Sequence, residues 1–125
     1  KILFYNTTTQ KLILEGGQEI EETYESPTLL NYVPDTIYKK FVTKMGKIEP
    51  EIIDKISEIK YEPNAQDEER FLLSMTDGNY VYITLSTFDT LNQYFNIMLE
   101  MKKKFENKKG ILYLDSGKYF EVLEN

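Results

Sequence analysis

Cysteine, histidine and tryptophan are absent from the 125 residues. Without cysteine there can be no disulfide, no thiolate zinc site and no thiol nucleophile. Without histidine no imidazole can act as a base or metal ligand. No apolar run approaches the roughly 18 residues that mark a membrane-crossing helix. The glycine spacings of phosphate-binding loops, dinucleotide folds and nucleophile elbows are missing too. Cations are in the minority, 15 Lys and Arg against 21 Asp and Glu, for a net charge of -6. A chain of that sign repels phosphate backbones unless it gathers cations locally, so nucleic acid is not an expected partner. The sequence opens on Lys1 with no charged-then-apolar leader, and the expectation is a piece of a longer protein.

What is present suffices for one domain. Hydrophobic residues make up 41% and aromatics 14%, enough to bury a core in a chain of this length. Ile2-Leu3-Phe4-Tyr5 and Leu12-Ile13-Leu14 are short apolar runs parted by a polar break and stopped by Gly16-Gly17, the pattern of a hairpin. Glu15 to Glu25 carries five Glu and no cation and reads as a solvated loop. Pro27 and Pro34 bracket an extended segment. Asp35 can cap a helix over Thr36 to Met45, where Ile37, Phe41 and Met45 recur every four residues, and Gly46 suits the position past its end. Pro50 opens a second short helix, with Ile52, Ile53 and Ile56 inward. Ile59 and Tyr61 then alternate with charged residues, as in a strand.

Arg70 to Thr76 and Asn79 to Leu85 flank Asp77-Gly78. A two-residue type I′ loop there sets Met75 opposite Tyr80, Leu73 opposite Tyr82 and Phe71 opposite Thr84. In that register both faces are largely apolar, so both are expected to be covered. One long helix of about 20 residues follows, capped by Ser86 or Thr87. Its stripe is Phe88, Leu91, Phe95, Met98, Lys102 and Phe105, widened by Tyr94 and Met101. Lys102, Lys103, Lys104, Lys108 and Lys109 suit the negative end of its dipole, and Gly110 ends it. Two last strands, Ile111 to Leu114 and Tyr119 to Leu123, are joined by the turn Asp115-Ser116-Gly117-Lys118. The order predicts an α+β fold over residues 1–125: a mainly antiparallel curved sheet with two short helices and one long helix packed on it.

Carboxylates are the one abundant catalytic type left. Glu58, Glu62, Asp67, Glu68 and Glu69 cluster in sequence, but a glycosidase needs two acids facing each other across a sugar, and a polar loop does not supply that. Asp77-Gly78-Asn79 and Asp115-Ser116-Gly117 offer too few alternating oxygens for a calcium loop and read as turns. No catalytic residue, metal ligand or cofactor site is predicted. Ten tyrosines fit a sheet or an interface, since Tyr brings contact area and a hydroxyl at small entropic cost. The lysines near position 104 fit a helix end, and would also attract an acidic partner tail in a salt-sensitive manner. The last strand reads either as an edge with free backbone groups, able to pair with a partner strand, or as a shielded or central strand.

Taken in order, Ile56-Ser57-Glu58-Ile59-Lys60-Tyr61-Glu62-Pro63, the Asp77-Gly78-Asn79 hairpin, the long helix, Lys109-Gly110-Ile111-Leu112-Tyr113-Leu114 and the closing Tyr119-Phe120 resemble the extracytoplasmic β-domain of the bacterial DivIB/FtsQ cell-division family, the Gram-positive DivIB branch in particular. The resemblance spans essentially the whole chain. Asn31 departs from it, standing where the family often has Gly. It implies a bitopic parent with a cytoplasmic tail, one membrane helix and a POTRA domain ahead of this one. It further implies a non-enzymatic divisome scaffold at the outer face of the cell membrane at the septum. Such a scaffold binds the small bitopic proteins DivIC (FtsB in Gram-negative bacteria) and FtsL and helps regulate septal peptidoglycan synthesis, with the septal transpeptidase as a further candidate partner.

In that family a partner segment adds to the sheet at the C-terminal strand, around an Asp-Ser-Gly turn. The corresponding residues here are Leu114, Ser116, Gly117, Tyr119, Phe120 and Val122. Lys118, Tyr119 and Phe120 replace small or aliphatic residues of the FtsQ pattern. Tyr119 and Phe120 are the expected buried anchors of the contact, and Phe120→Asp is expected to abolish binding in a folded domain. The competing readings are a carboxylate enzyme acting on wall glycan and a generic secreted binding module of the same architecture.

Overall fold

A computed structural model describes residues 1–22 and 25–123. Thr23 and Tyr24, inside the acidic run, lie outside the described residues. The first apolar runs form the expected hairpin, β1 (Ile2–Asn6) and β2 (Lys11–Leu14), and a two-residue β3 (Glu19–Ile20) adds to β2. The proline-bracketed segment is extended as β4 (Thr28–Leu29) and precedes α1 (Asp35–Met45) and α2 (Pro50–Ile53). Then come β5 (Ile56–Tyr61), β6 (Arg70–Met75), β7 (Tyr80–Thr84), a 3₁₀ helix (Leu85–Gln93) running into α3 (Tyr94–Lys104), and the closing strands β8 (Gly110–Tyr113) and β9 (Tyr119–Val122). The nine strands of the described residues join one sheet in the order β3-β2-β1-β4-β5-β6-β7-β8-β9. The fold is α+β, and the sheet is mixed rather than purely antiparallel. β1 with β4, β4 with β5 and β7 with β8 run parallel, and the remaining neighbours are antiparallel.

One core lies between the helices and one face of this sheet. Phe41 of α1 stacks on Phe71 of β6 at 4.7 Å, and Phe4 and Phe88 pack against Phe41 at 5.1 and 6.0 Å. All four rings are fully buried. Burying aromatics of this size is what makes so small a domain stable.

The β6–β7 hairpin departs from expectation by one residue. The Met75 N–H donates to the Asn79 carbonyl at 2.8 Å and the Gly78 N–H to the Met75 carbonyl at 3.1 Å, so Thr76-Asp77-Gly78 is a three-residue loop. Within it only Gly78 takes a left-handed φ, +91°, as in a type I turn followed by a bulge. The pairs are then Phe71 with Ile83, Leu73 with Val81 and Ser74 with Tyr80. A slip of one residue turns every side chain to the other face. Phe71, Leu73, Met75, Val81 and Ile83 now share the core face, and Arg70, Leu72, Ser74, Tyr80 and Tyr82 share the other, half-buried or exposed. Only one face of the hairpin is covered by helices. Burying five aliphatic and aromatic side chains together outweighs the preference for a two-residue loop.

The helix ends also differ in detail. Pro34, not Asp35, sits at the N-cap of α1, with no side-chain bond, and Gly46 keeps a right-handed φ of -62°. The long helix is capped by Thr84, which exchanges hydrogen bonds with Thr87. Its first nine residues are 3₁₀, turning about 120° per residue against about 100° for an α-helix. That phase change puts Tyr94, Ile97, Met98 and Met101 inside and leaves Phe95 (43% exposed) and Lys102 outside. Glu106 and Asn107, at φ 55° and 63°, reverse the chain after α3, and Gly110 belongs to β8.

Candidate partner-binding edge

β9 ends the sheet. Among the described residues its single strand neighbour is β8, in the register Gly110–Val122, Ile111–Glu121, Leu112–Phe120 and Tyr113–Tyr119. The Leu123 N–H donates to the Lys109 carbonyl at 2.9 Å, which fixes the alternation of an antiparallel ladder. Tyr119, Glu121 and Leu123 turn their backbone groups toward β8. Phe120 and Val122 turn theirs to the open side, where among the described residues no strand meets them.

Backbone and side chains divide differently. Leu114 (1% exposed) and Phe120 (4%) point into the core, Phe120 against the ring of Phe105 at 5.1 Å. Val122 is half-buried against the same core. Ser116 and Gly117 are exposed in the turn, Gly117 with φ +138°. Tyr119 stands 60% exposed on the face opposite the helices. The six expected contact residues therefore separate into a surface set (Ser116, Gly117, Tyr119), an inner pair (Leu114, Phe120) and Val122 between them. Phe120 can offer a partner its backbone but not its ring, so Phe120→Asp tests folding rather than binding.

The open face holds residues that sequence reasoning missed. Tyr82 and Tyr113 stack at 5.4 Å with planes 20° apart, and Tyr113 meets Tyr119 at 5.4 Å. The Arg70 guanidinium lies 4.2 Å from the centre of the Tyr82 ring, a cation–π contact. The Tyr113 hydroxyl donates to Glu121 Oε1 at 3.0 Å; desolvation and then this bond hold it above the usual tyrosine range. A row of rings thus runs across β7, β8 and β9 and ends on Tyr119 at the open edge. The available signal was the alternation of Tyr80 and Tyr82 with Val81 and Ile83, concealed by the one-residue register.

The two acidic turns differ, and only that of Asp77 is filled by the protein's own donors. Asp77 accepts the Tyr94 hydroxyl at 2.7 Å and the Asn79 N–H at 3.0 Å. Asp115 Oδ2 lies 3.9 Å from Arg70, an ion pair beyond hydrogen-bond distance, and among the described residues its buried Oδ1 accepts no hydrogen bond. The carboxylates of the 58–69 stretch are scattered: Glu62 pairs with Lys60, Glu69 with Lys40, and Asp67 accepts the Glu69 N–H. Among the described residues no cluster of three or more acids could hold a metal ion, and no helix is long and apolar enough to cross a membrane.

No family model matches the chain. The cell division protein DivIB of Bacillus subtilis (strain 168) is 31% identical to it over 114 residues, covering 87% of this chain and 42% of that protein. DivIB of Solibacillus silvestris is 25% identical over 118 residues, 94% of this chain and 41% of that protein. The chain belongs to the DivIB/FtsQ family. It spans less than half the length of these curated DivIB relatives. The solved major extracytoplasmic domain of DivIB from Geobacillus stearothermophilus shares its fold, with a TM-score of 0.61 at 16% identity, over 84% of this chain and 95% of that one. The expected α+β architecture is thus the DivIB extracytoplasmic fold.

Proposed function

We propose that this domain is the extracytoplasmic β-domain of a bitopic DivIB. In this reading it acts as a non-enzymatic divisome scaffold at the outer face of the cell membrane, at the septum of a Gram-positive bacterium. It binds DivIC and FtsL by strand addition at β9 and so helps regulate septal peptidoglycan synthesis, with the septal transpeptidase as a further partner. The observation that carries the reading is the open side of β9, where the backbone groups of Phe120 and Val122 face outward in a family of cell-division proteins. Main-chain hydrogen bonds would orient the incoming strand, and the exposed Tyr119 would select among strands.

Val122→Pro tests this. It removes an outward N–H and places a ring at the open edge while leaving the bonds to β8 in place, a position where a strand tolerates proline. Binding of the DivIC ectodomain, followed by calorimetry, should weaken roughly tenfold or more, since one lost hydrogen bond and a steric block act together. Unchanged affinity alongside an intact circular-dichroism spectrum overturns strand addition at β9.

A further inference from the structure

The row of rings on the face opposite the helices begins on a cation and ends without one. Arg70 is the only arginine among the 15 cations of the chain. Its guanidinium is shared between a tyrosine ring and a carboxylate: the centre of the Tyr82 ring is 4.2 Å away and Asp115 Oδ2 is 3.9 Å away. From Tyr82 the row passes to Tyr113 and then to Tyr119, at 5.4 Å each time. These three tyrosines are register partners on adjoining strands, so the ladder itself sets their spacing. Tyr119 is 60% exposed and meets no further ring among the described residues. Two residues along the same face of β9 stands Glu121, also exposed. It accepts the Tyr113 hydroxyl on Oε1 and has no ion pair among the described residues. The open end of the row thus repeats the surroundings of Arg70, a tyrosine ring beside a carboxylate, with no guanidinium between them. Both groups favour positive charge, since the face of an aromatic ring is its negative part.

We infer that the strand accepted by β9 carries an arginine beside Tyr119 on this face, its guanidinium lying on the Tyr119 ring and donating to Glu121. This rests on the strand-addition reading above and adds the side chain by which the strand is chosen. An incoming strand bonds to the outward groups of Phe120 and Val122, which leaves Tyr119 and Glu121 at the sites between those bonds. In an antiparallel ladder opposite side chains come closest at such sites, with Cα atoms about 4.5 Å apart. Side chains alternate between the two faces of a sheet, so the residue beside Tyr119 lies with the rings and not with the helices. A carboxylate there would be repelled by Glu121. An apolar side chain would cover the ring and leave Glu121 without a cation. Lysine brings the charge but not the plane and forked donors that let one group serve ring and carboxylate together. With arginine in place the row ends as it begins.

The test measures affinity for the DivIC ectodomain in wild type, Tyr119→Phe, Tyr119→Leu, Glu121→Gln and Val122→Pro, each checked for its fold by circular dichroism. Tyr119→Leu keeps an apolar side chain but removes the ring face, and should weaken binding about five- to tenfold. Tyr119→Phe keeps the face and should stay within about twofold of wild type. Glu121→Gln keeps an acceptor for Tyr113 and removes only the charge. It should weaken binding about threefold at about 50 mM salt, and the gap should close at about 300 mM. Treatment with phenylglyoxal, which modifies arginine, followed by mass spectrometry should find one DivIC arginine shielded in the complex with wild type. If Val122→Pro weakens binding while Tyr119→Leu and Glu121→Gln do not, or no DivIC arginine is shielded, strand addition stands and the arginine is refuted. If Tyr119→Leu weakens binding and Glu121→Gln does not, a neutral side chain covers the ring and the arginine is refuted again. If Val122→Pro binds like wild type, or wild type itself does not bind, strand addition at β9 fails and the inference falls with it.

Discussion

The sheet has two ends, and they are built in opposite ways. β3 is two residues long and sits within the run from Glu15 to Glu25, which has five Glu and no cation. β9 is four residues long and carries one charge, Glu121, which already receives the Tyr113 hydroxyl. Free strand edges invite pairing with other chains, and shortness and charge are the usual ways to prevent it. One end of this sheet uses both. At the other the backbone groups of Phe120 and Val122 stay open. The strand addition proposed above would use the edge that this domain leaves unguarded, not the one it guards.

The first way to break the comparison is to damage each end by the same substitution. Phe120→Asp puts a carboxylate where a 4% exposed ring packs on Phe105. It should destabilise by at least about 4 kcal/mol, from the lost burial, the cavity and the buried charge together. Ile20→Asp, at half-buried Ile20 of β3, should cost less than about 1 kcal/mol. Urea unfolding of the two variants checks this. Similar losses at both ends would show that β9 is no more anchored to the core than β3.

That asymmetry was only partly legible in the sequence. The α+β class, the paired first strands, both short helices and the two closing strands follow from apolar spacing, prolines and turn residues, because each is decided within a few neighbouring positions. The position of β9 at the sheet's end is a property of strand order, and the long-range pairing of β7 with β8 that sets it leaves no local trace. The hairpin register failed for a related reason. Asp-Gly fits both a two-residue loop and the last two places of a three-residue loop, and the choice is made by which face Val81 and Ile83 must bury. Phe120 looked like a surface anchor by analogy of place, whereas its parity with Leu112 across β8 sends it inward. Tyr113 and Glu121 were overlooked because their bond spans two strands.

A smaller effect sharpens the contrast at the same end. A Cβ on Gly110 would run into the carbonyl oxygen of Glu121 and the ring of Phe120, so β8 and β9 approach as closely as they do only because that position has no side chain. Gly110→Ala should cost roughly 1–3 kcal/mol by overpacking and push β9 outward. Hydrogen exchange of the Leu123 amide, bonded to Lys109 across the same pair, should quicken more than that of amides in the β1–β2 hairpin. Uniform protection in the variant would mean that the edge does not depend on this close fit.

The smallest effect concerns the bonds that hold β8 from behind. The Gly110 N–H donates to Asn79 Oδ1 at 2.9 Å, and the same turn presents Asp77 to the buried Tyr94 hydroxyl at 2.7 Å. Burial alone would raise the Asp77 carboxyl, but hydrogen bonds from Tyr94 and Asn79 and the nearby Lys109 hold it below the usual range. A depressed carboxyl contributes stability above its ordinary value, and that contribution is lost as pH falls through the folded-state value. Tyr94 is pushed far above the usual tyrosine range, first by burial and then by Asp77. A raised tyrosine contributes stability below its ordinary value, and that contribution fades as pH climbs beyond it. Tyr94→Phe should therefore lose about 1 kcal/mol near neutral pH, and the deficit should narrow at both the acid and the alkaline extremes. Unfolding midpoints across pH check it. A deficit that stays constant with pH would show that the hydroxyl fills space and that the Asp77 bond adds nothing to the support of the β8–β9 edge.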